Sequence, residues 1–598
     1  MRRTAAAVVA LVCALVLSGC GLQFSLGFGT GEDGRFDGTE VTVPVLYASG
    51  KKGVLATQRI AAASAEGEGL RIDITENDVS GVDPVTQSAT WTAVTAATLL
   101  TGARPDTAYT FAFDTRIATP AAGAVTAVGV LALYYGTEIL PGVALSGAVT
   151  PFGAIRPVPG LAEQVQAAIE AGGIDTILVP AGQRTVRDAQ GETVDLDQLA
   201  ATGGMTVTEV ADIATAYAVM TGEDAPEAAF PTPPASPTSL PETDDAPAPN
   251  AVLEGAVDEI LADADDRLAL ASDPVLVDSG RAALARAESL RAAGETDAAL
   301  AAAVTAADRA ALAAAPGASA AEATVAAGRA RDGASALIDD LQARSPATLD
   351  DADRVLRAAT AAAEAFALAR YAEDLLADPA ADDTARAVAT TAAFLATSSA
   401  RTASALAALP GGGGGGLSDD ADLDAVASLL RRAGVAASEA YRTRVVAARA
   451  DADGVSLDAA EIRLAGADPA ALRALALDRA RGELTARAPQ DRGWGALGIA
   501  LAGYTSASPV LAATQAVRPP SDADADAAAA QRVAVAEEYT VAAIDALTAT
   551  GAEVPLARGL LAQAVEAAEA EPAAGAGGFV TPFVAARVLA FAAGVERS

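Results

Sequence analysis

The chain has 598 residues, a net charge of −36 at pH 7, no histidine and two cysteines. Without histidine it cannot build a Ser-His-Asp or Cys-His catalytic site, and zinc sites made of paired histidines and cysteines are excluded as well. The acidic excess argues against a nucleic-acid partner, because phosphate contacts need clustered lysine and arginine. A chain of this length predicts roughly two to four domains, and its abundant alanine predicts thin helical cores.

The first twenty residues predict export and attachment to a membrane. A short basic start precedes an uncharged apolar stretch, Ala5–Leu17, which has the length of a signal peptide and is too short to span a membrane. The stretch ends in Leu17-Ser18-Gly19-Cys20, which resembles the lipobox of prokaryotic lipoproteins. We expect residues 1–19 to be a lipoprotein signal peptide and lipidated Cys20 to hold the chain at the extracytoplasmic face of the cell membrane. The alternative is an ordinary secretory signal with an incidental cysteine.

Composition divides the rest of the chain into segments. Glycine-rich and proline-rich stretches cannot bury a core, so they separate the segments whose apolar residues are periodic. The predicted segments are a flexible tether (20–38), an α+β domain (39–222), a Pro-rich linker (223–250), helical region I (251–410), a Gly linker (411–416) and helical region II (417–598). Leu and Val at helical spacing predict that the two helical regions form an all-α bundle or solenoid of antiparallel hairpins.

Strand-like and helix-like patterns alternate within residues 39–222. The first predicted element is a β-hairpin, here called the lysine hairpin, whose turn carries the two lysines of the chain, Lys51 and Lys52. The other predicted elements are a strand at Thr107–Phe113, a helix from Pro120 to about Leu133, a strand at Val143–Val149, a helix that Gly172 ends, and a buried strand at Ile174–Val179.

Two apolar stretches of the helical regions are long enough to raise the question of a membrane span. Residues Gly493–Val517 carry no charge, but glycine, proline and hydroxyl residues interrupt the run, which favours buried helix over a membrane span. Residues Phe579–Val595 contain Arg587 in their middle, which predicts an amphipathic helix.

Four short sequence motifs occur in order between residues 119 and 180. They are Thr-Pro-Ala-Ala-Gly (119–123), Leu-Ser-Gly-Ala-Val-Thr (145–150), Pro-Val-Pro-Gly-Leu-Ala-Glu-Gln (157–164) and Ile-Leu-Val-Pro (177–180). Together they resemble motifs of the proteolytic domain of the Lon protease family, the S16 serine peptidases. The similarity is closest to its archaeal branch of secreted or membrane-tethered proteases without an ATPase. It implies an α+β Lon-proteolytic-domain-like fold over about residues 39–222.

The resemblance implies a catalytic dyad of a serine nucleophile and a lysine base, and both residues are replaced here. The serine position holds Ala121 and the lysine position holds Gln164. Alanine has no nucleophilic atom and a glutamine amide is not a base near neutral pH, so we predict that the dyad is inactive. No lysine follows Lys52, so no shifted alignment restores the pair.

Three neighbouring residues are candidates for a residual role. Ser146 stands where the family has a threonine that supports the lysine, and we expect it to hydrogen-bond Gln164 in a vestigial pocket. The alternative is a relocated nucleophile at Ser146 or Thr119. Asp114 is a candidate base, although its position directly after a strand favours a turn or cap residue.

These observations favour a lipid-anchored pseudoprotease that binds peptides or unfolded proteins without cleaving them. The alternatives are an active, ATP-independent S16-like endopeptidase with a relocated nucleophile, and a structural surface scaffold built on the helical regions. No Gly-Lys-Ser/Thr phosphate loop is present, so we expect no ATP binding. We expect no cofactor or metal either, and interpret the acidic clusters Asp350–Asp353 and Asp522–Asp526 as solvated helix starts.

Overall fold

The computed structural model describes residues 38–65, 70–76, 82–103, 107–226, 251–419, 421–488 and 493–595. The predicted signal peptide, Cys20, nearly all of the tether and most of the Pro-rich linker lie outside the described residues. They therefore stay predictions.

The N-terminal region is built on a mixed sheet. Its strands are β1 Glu40–Ser49, β2 Lys52–Ser64, β3 Arg71–Glu76, β4 Thr107–Phe113, β5 Val143–Leu145, β6 Ala148–Val149, β7 Ile155–Arg156, β8 Thr176–Pro180, β9 Thr185–Arg187, β10 Thr193–Asp195 and β11 Thr206–Val210. Seven of them form one sheet in the order β11-β8-β5-β1-β2-β4-β3, and β6-β7 and β9-β10 form two small pairs. Within the large sheet β2 runs against the other strands, which are mutually parallel.

The helices of this region cover the sheet. They are α1 Pro84–Thr101, α2 Gly123–Tyr135, α3 Leu161–Ala171, α4 Leu196–Ala201 and α5 Ile213–Thr221. In α2 every residue from Gly123 to Leu133 is buried, as expected for a helix that is apolar on all sides. Asp83 caps α1 by accepting the Val85 amide, and Gly102, with φ of 70°, ends it.

The rest of the described chain is helical. The helices are α6 Ala251–Leu270, α7 Pro274–Ala292, α8 Thr296–Ala314, α9 Ala320–Ala343, α10 Leu349–Ala377, α11 Asp383–Ala408, α12 Leu423–Tyr441, α13 Ala447–Asp453, α14 Leu457–Ala467, α15 Pro469–Arg487, α16 Gly493–Thr514, α17 Asp522–Thr548, α18 Pro555–Ala570, α19 Pro572–Gly575 and α20 Val580–Ala592. The predicted succession of a mixed helix-and-strand region and an all-helical region is therefore confirmed.

The two regions pack against each other. One hydrophobic cluster runs from Val43 in β1 to Ala592 in α20. Arg587 of α20 is 6% exposed and donates hydrogen bonds to the carbonyl oxygens of Leu99 and Leu100, in the last turn of α1. A guanidinium there satisfies carbonyl groups that have no partner within the helix. The prediction of an amphipathic helix around Arg587 is wrong, because α20 is covered by both regions.

Two apolar helices of the described chain are long enough to cross a membrane by length and composition, Thr296–Gly317 and Gly493–Thr514. In these segments 61% and 67% of the apolar window is buried inside the fold. The second segment contains α16, so the interpretation of this uncharged run as a buried helix is confirmed.

The six glycines 411–416 do not separate two independent helical bodies. Gly412 and Gly414 lie against the start of α10, where the Thr348 hydroxyl donates to the Gly412 carbonyl at 2.9 Å and Gly414 N–H donates to the Asp350 carboxylate at 2.8 Å. Helices on both sides of the run also share one core, which contains Phe366 of α10 and Leu475 of α15. Glycine is needed at 412 and 414, because a Cβ at either position would lie too close to Asp350.

We expect Gly414→Ala to destabilise the protein by about 2 kcal/mol, since an added Cβ would lie 2.5 Å from both an Asp350 carboxylate oxygen and the Gly551 carbonyl oxygen. Gly413→Ala is the matched control, because nothing lies within 4 Å of a Cβ at Gly413. Its effect should stay within about 0.5 kcal/mol. Urea unfolding midpoints measure both, and equal midpoints for the two variants would contradict the close packing.

Candidate functional site

Ala121, the serine position of the resemblance, lies in a tight turn before α2. Residues Pro120–Ala122 form a single 3-10 turn, and the Thr119 side chain accepts a hydrogen bond from the Ala121 N–H at 3.1 Å. Ala121 is 1% exposed. The Thr119 hydroxyl therefore acts as a helix cap beside a buried methyl group.

The segment after β5 brings Ser146 next to this turn. Ser146 N–H donates to the Leu178 carbonyl at 3.1 Å, and Gly147 N–H donates to the Ala121 carbonyl at 3.1 Å. The Gly147 carbonyl in turn accepts the Ala124 N–H at 2.9 Å. These bonds divide the predicted strand Val143–Val149 into β5 and β6, because its middle pairs with two different neighbours.

Gln164, the lysine position, lies in the first turn of α3 and is 1% exposed. Its side-chain amide donates to the Pro159 carbonyl at 3.1 Å, while its Oε1 has no hydrogen-bond partner among the described residues. The lysine hairpin packs against the same turn. A Cβ on Gly53 would lie 1.8 Å from the Glu163 carbonyl oxygen.

The expected hydrogen bond between Ser146 and Gln164 is wrong. The Ser146 Oγ is fully buried and has no partner among the described residues, and Gln164 bonds within its own turn instead. Lys51 and Lys52 are exposed at the hairpin turn, as predicted. No serine–base pair therefore forms at the positions of the dyad.

Asp114 occupies the bend directly after β4, which confirms its interpretation as a turn residue. It is exposed, and its carboxylate accepts the Thr57 N–H at 3.1 Å while its own N–H donates to the Thr57 carbonyl at 3.1 Å. The carboxylate thus closes the end of the β2-β4 pair.

We expect Ser146→Ala to stabilise the protein by about 1 kcal/mol, because a buried hydroxyl without a partner carries an uncompensated desolvation cost. Ser398→Ala is the matched control. Ser398 is 1% exposed but donates to an Asp308 carboxylate oxygen at 2.9 Å, so its removal should destabilise by about 1–2 kcal/mol. Thermal unfolding of both variants measures the difference, and destabilisation of Ser146→Ala comparable to that of Ser398→Ala would show that Ser146 is hydrogen-bonded.

A cavity of about 370 Å³ adjoins the turn that carries Ala121. Residues of α1, Pro120 and the segment Ala148–Phe152 form one side of its wall, and the helical regions contribute the start of α15, α16, α17 and the start of α20. Phe152, on the same wall, packs edge-to-face on Phe583 with ring centroids 6.3 Å apart. Sequence reasoning missed this cavity because its walls come from segments more than 300 residues apart along the chain.

Two arginines, Arg156 of β7 and Arg532 of α17, line the cavity. Arg156 Nη1 donates to the Ala512 carbonyl at 2.9 Å and Nη2 to the Gln515 side chain at 3.3 Å, while its buried Nε has no partner among the described residues. Burial, with a contribution from the charge of Arg532, lowers the pKa of Arg156 to about 10. Burial also lowers the pKa of Arg532. The cavity therefore places two positive charges among mainly apolar side chains.

No protein-family model matches the chain, and no curated protein matches it significantly.

Proposed function

We propose that the chain is a lipid-anchored, extracytoplasmic Lon-like protein that binds peptides and does not cleave them. The observation that carries this proposal is the absence of a nucleophile with a base at the dyad positions. Ala121 is a buried methyl group, Gln164 is an amide, and the buried Ser146 hydroxyl has no partner among the described residues. Serine becomes a nucleophile only when an adjacent base accepts its proton, so the serine–lysine mechanism has no chemical basis at these positions.

The order of elements around Ala121 supports the Lon-like part of the proposal. A tight turn leads into the buried helix α2, the Ser146 segment pairs with that turn, and β8 ends at Pro180. Together with the turn before α3, these elements lie at the four motifs of the resemblance. Fold likeness by itself does not establish activity, which depends on the residues at the dyad positions.

The cavity beside Pro120 supports binding. Its volume of about 370 Å³ lies within the range of ligand sites. It contacts the turn that precedes α2 and the segment after Ser146, so the proposed binding site adjoins the positions that perform catalysis in the family.

The purified full-length protein in high salt, incubated with fluorescein-labelled casein, tests the proposal. We expect the fluorescence anisotropy to rise on binding, while mass spectrometry detects no new peptides over a day. Ser146→Ala and Thr119→Ala controls separate intrinsic cleavage from contamination. Cleavage that either substitution removes would establish the relocated-nucleophile alternative instead.

A structural scaffold is the second candidate function, since Ala121 itself is only 1% exposed and the helical regions form most of the chain. A scaffold needs no ligand cavity. Absence of any anisotropy change with casein and with short peptides would favour it over the peptide-binding proposal.

A further inference from the structure

The cavity between the two regions contains an unbalanced charge. Arg532 makes no hydrogen bond or ion pair with another described residue, although the chain has 77 acidic side chains and 41 basic ones. Asp468 is the acidic residue among those that line the cavity. Its carboxylate accepts the Ala470 N–H at 2.9 Å and caps α15.

The two arginines are close enough for the charge of Arg532 to disfavour the charged form of Arg156. Arg156 has a structural role, because it donates to the Ala512 carbonyl in the last turn of α16. This hydrogen bond comes from Nη1, and Nη2 donates to the side-chain oxygen of Gln515. It leaves Nε buried and without a partner among the described residues. The buried Nε and the guanidinium of Arg532 are thus donors whose acceptor has to come from outside these residues.

Arg156 and Arg532 are half-buried, and withdrawing part of a guanidinium from water without a counter-charge costs free energy. Proteins keep such a group where an anion binds, because the planar guanidinium matches a carboxylate in geometry and charge. The rest of the wall is mainly apolar and includes Val149, Phe152, Leu511 and Val580. A ligand that satisfies both features has an apolar body and one anionic end.

We infer that this cavity binds the carboxylate end of an apolar chain, with Arg532 and the Nε of Arg156 as donors and the apolar wall around the body of the ligand. The inference deepens and rests on the proposed peptide-binding function, under which the ligand is the carboxyl terminus of an apolar peptide. A fatty acid has the same chemistry, so the experiment includes both sources.

Isothermal titration calorimetry of the full-length protein tests the inference with four probes: acetyl-Ala-Ala-Leu with a free carboxyl group, the same peptide as its C-terminal amide, dodecanoate and inorganic phosphate. We expect the acid to bind at least about tenfold more tightly than the amide, because the amide leaves the guanidinium unpaired. Equal affinity of acid and amide would overturn the carboxylate site and leave peptide binding intact. Tighter binding of phosphate than of either carboxylate would also overturn it.

Dodecanoate separates the inference from the function on which it rests. Binding of dodecanoate and of neither peptide would support the carboxylate site and contradict the proposed peptide-binding function. Binding of both carboxylates, with the amide much weaker, supports both.

Arg532→Met is the decisive variant, and we expect it to weaken binding of the acid at least about tenfold. Because Arg532 forms no ion pair with a described residue, the Arg532→Met variant should melt at the same temperature as the natural protein or at a higher one. Arg518→Met is the matched control, because Arg518 is exposed and pairs with Asp522 at the surface. Arg532→Lys keeps the charge without the planar group, and should bind with intermediate affinity if the methionine variant does not fold. Unchanged affinity in either Arg532 variant would overturn the inference.

Discussion

Asp353→Asn is expected to stabilise the protein at pH 8 by on the order of 4 kcal/mol, since each pKa unit corresponds to about 1.4 kcal/mol. Asp353 is fully buried in the first turns of α10. Burial raises its pKa to about 7, although its carboxylate accepts the Leu556 N–H at 2.9 Å and the Arg357 charge lowers the pKa. Asparagine keeps an acceptor for the Leu556 N–H and carries no charge.

The pH dependence follows from the sign of this shift. Because the pKa of Asp353 rises from 3.8 to about 7 on folding, the folded state holds a proton that the unfolded state has lost between these two values. This group therefore destabilises the protein progressively as pH rises through that window, and its cost is complete above the folded pKa. The advantage of Asp353→Asn should be small near pH 4 and largest at pH 8.

Urea unfolding at several pH values measures this effect as the difference between variant and natural protein. Asp526→Asn is the control, because Asp526 is exposed in α17 and its replacement should change stability by less than about 0.5 kcal/mol at every pH. A constant difference for Asp353→Asn across pH 4 to 8 would mean that Asp353 does not titrate in this window.

Gly53→Ala should destabilise the protein by about 3 kcal/mol or more, since overpacking against rigid backbone forces whole elements apart. A Cβ at Gly53 would lie 1.8 Å from the Glu163 carbonyl oxygen and 2.8 Å from the Gln164 nitrogen, so the hairpin has to leave α3. The turn that holds Gln164 should then lose its support.

Gly50→Ala in the same hairpin provides the comparison for Gly53. Gly50 has φ of +62°, and nothing lies within 4 Å of a Cβ there, so alanine costs only backbone strain of about 1–2 kcal/mol. Thermal unfolding of both variants measures the difference in their stability. A melting temperature for Gly53→Ala at or above that of Gly50→Ala would disprove the close contact between hairpin and helix.

Local elements with strong patterns could be predicted well. The strand Thr107–Phe113 has the bounds expected for it, and the lysine hairpin forms with β1 Glu40–Ser49 and β2 Lys52–Ser64. Gly172 follows the end of α3, and Asp114 is a turn residue. These features depend on alternation of side chains and on the conformational freedom of glycine within a few residues, so the sequence contains them in full.

The two acidic clusters differ in how well local sequence patterns predicted their surroundings. Asp522 and Asp524 stand in the first turn of α17, which agrees with their interpretation as a helix start. The same interpretation of Asp350 and Asp353 as solvated is wrong. Asp350 accepts the Glu553 N–H at 2.8 Å, and Asp353 accepts the Leu556 N–H at the start of α18, about two hundred residues later. Asp353 thus satisfies an unpaired donor in the first turn of α18, and Asp350 holds the segment that leads into that helix.

Residue identity alone determined that the two positions of the resemblance, Ala121 and Gln164, carry neither a nucleophile nor a base. A methyl group at Ala121 and an amide at Gln164 cannot transfer a proton or attack a carbonyl in any fold. The tertiary structure decided which charges are buried and which hydroxyls lack partners, and it formed the cavity where Arg156 and Arg532 meet. The physical reason is that the burial of a side chain and its hydrogen-bond partners depend on segments hundreds of residues apart. Local sequence patterns reflect only neighbours along the chain.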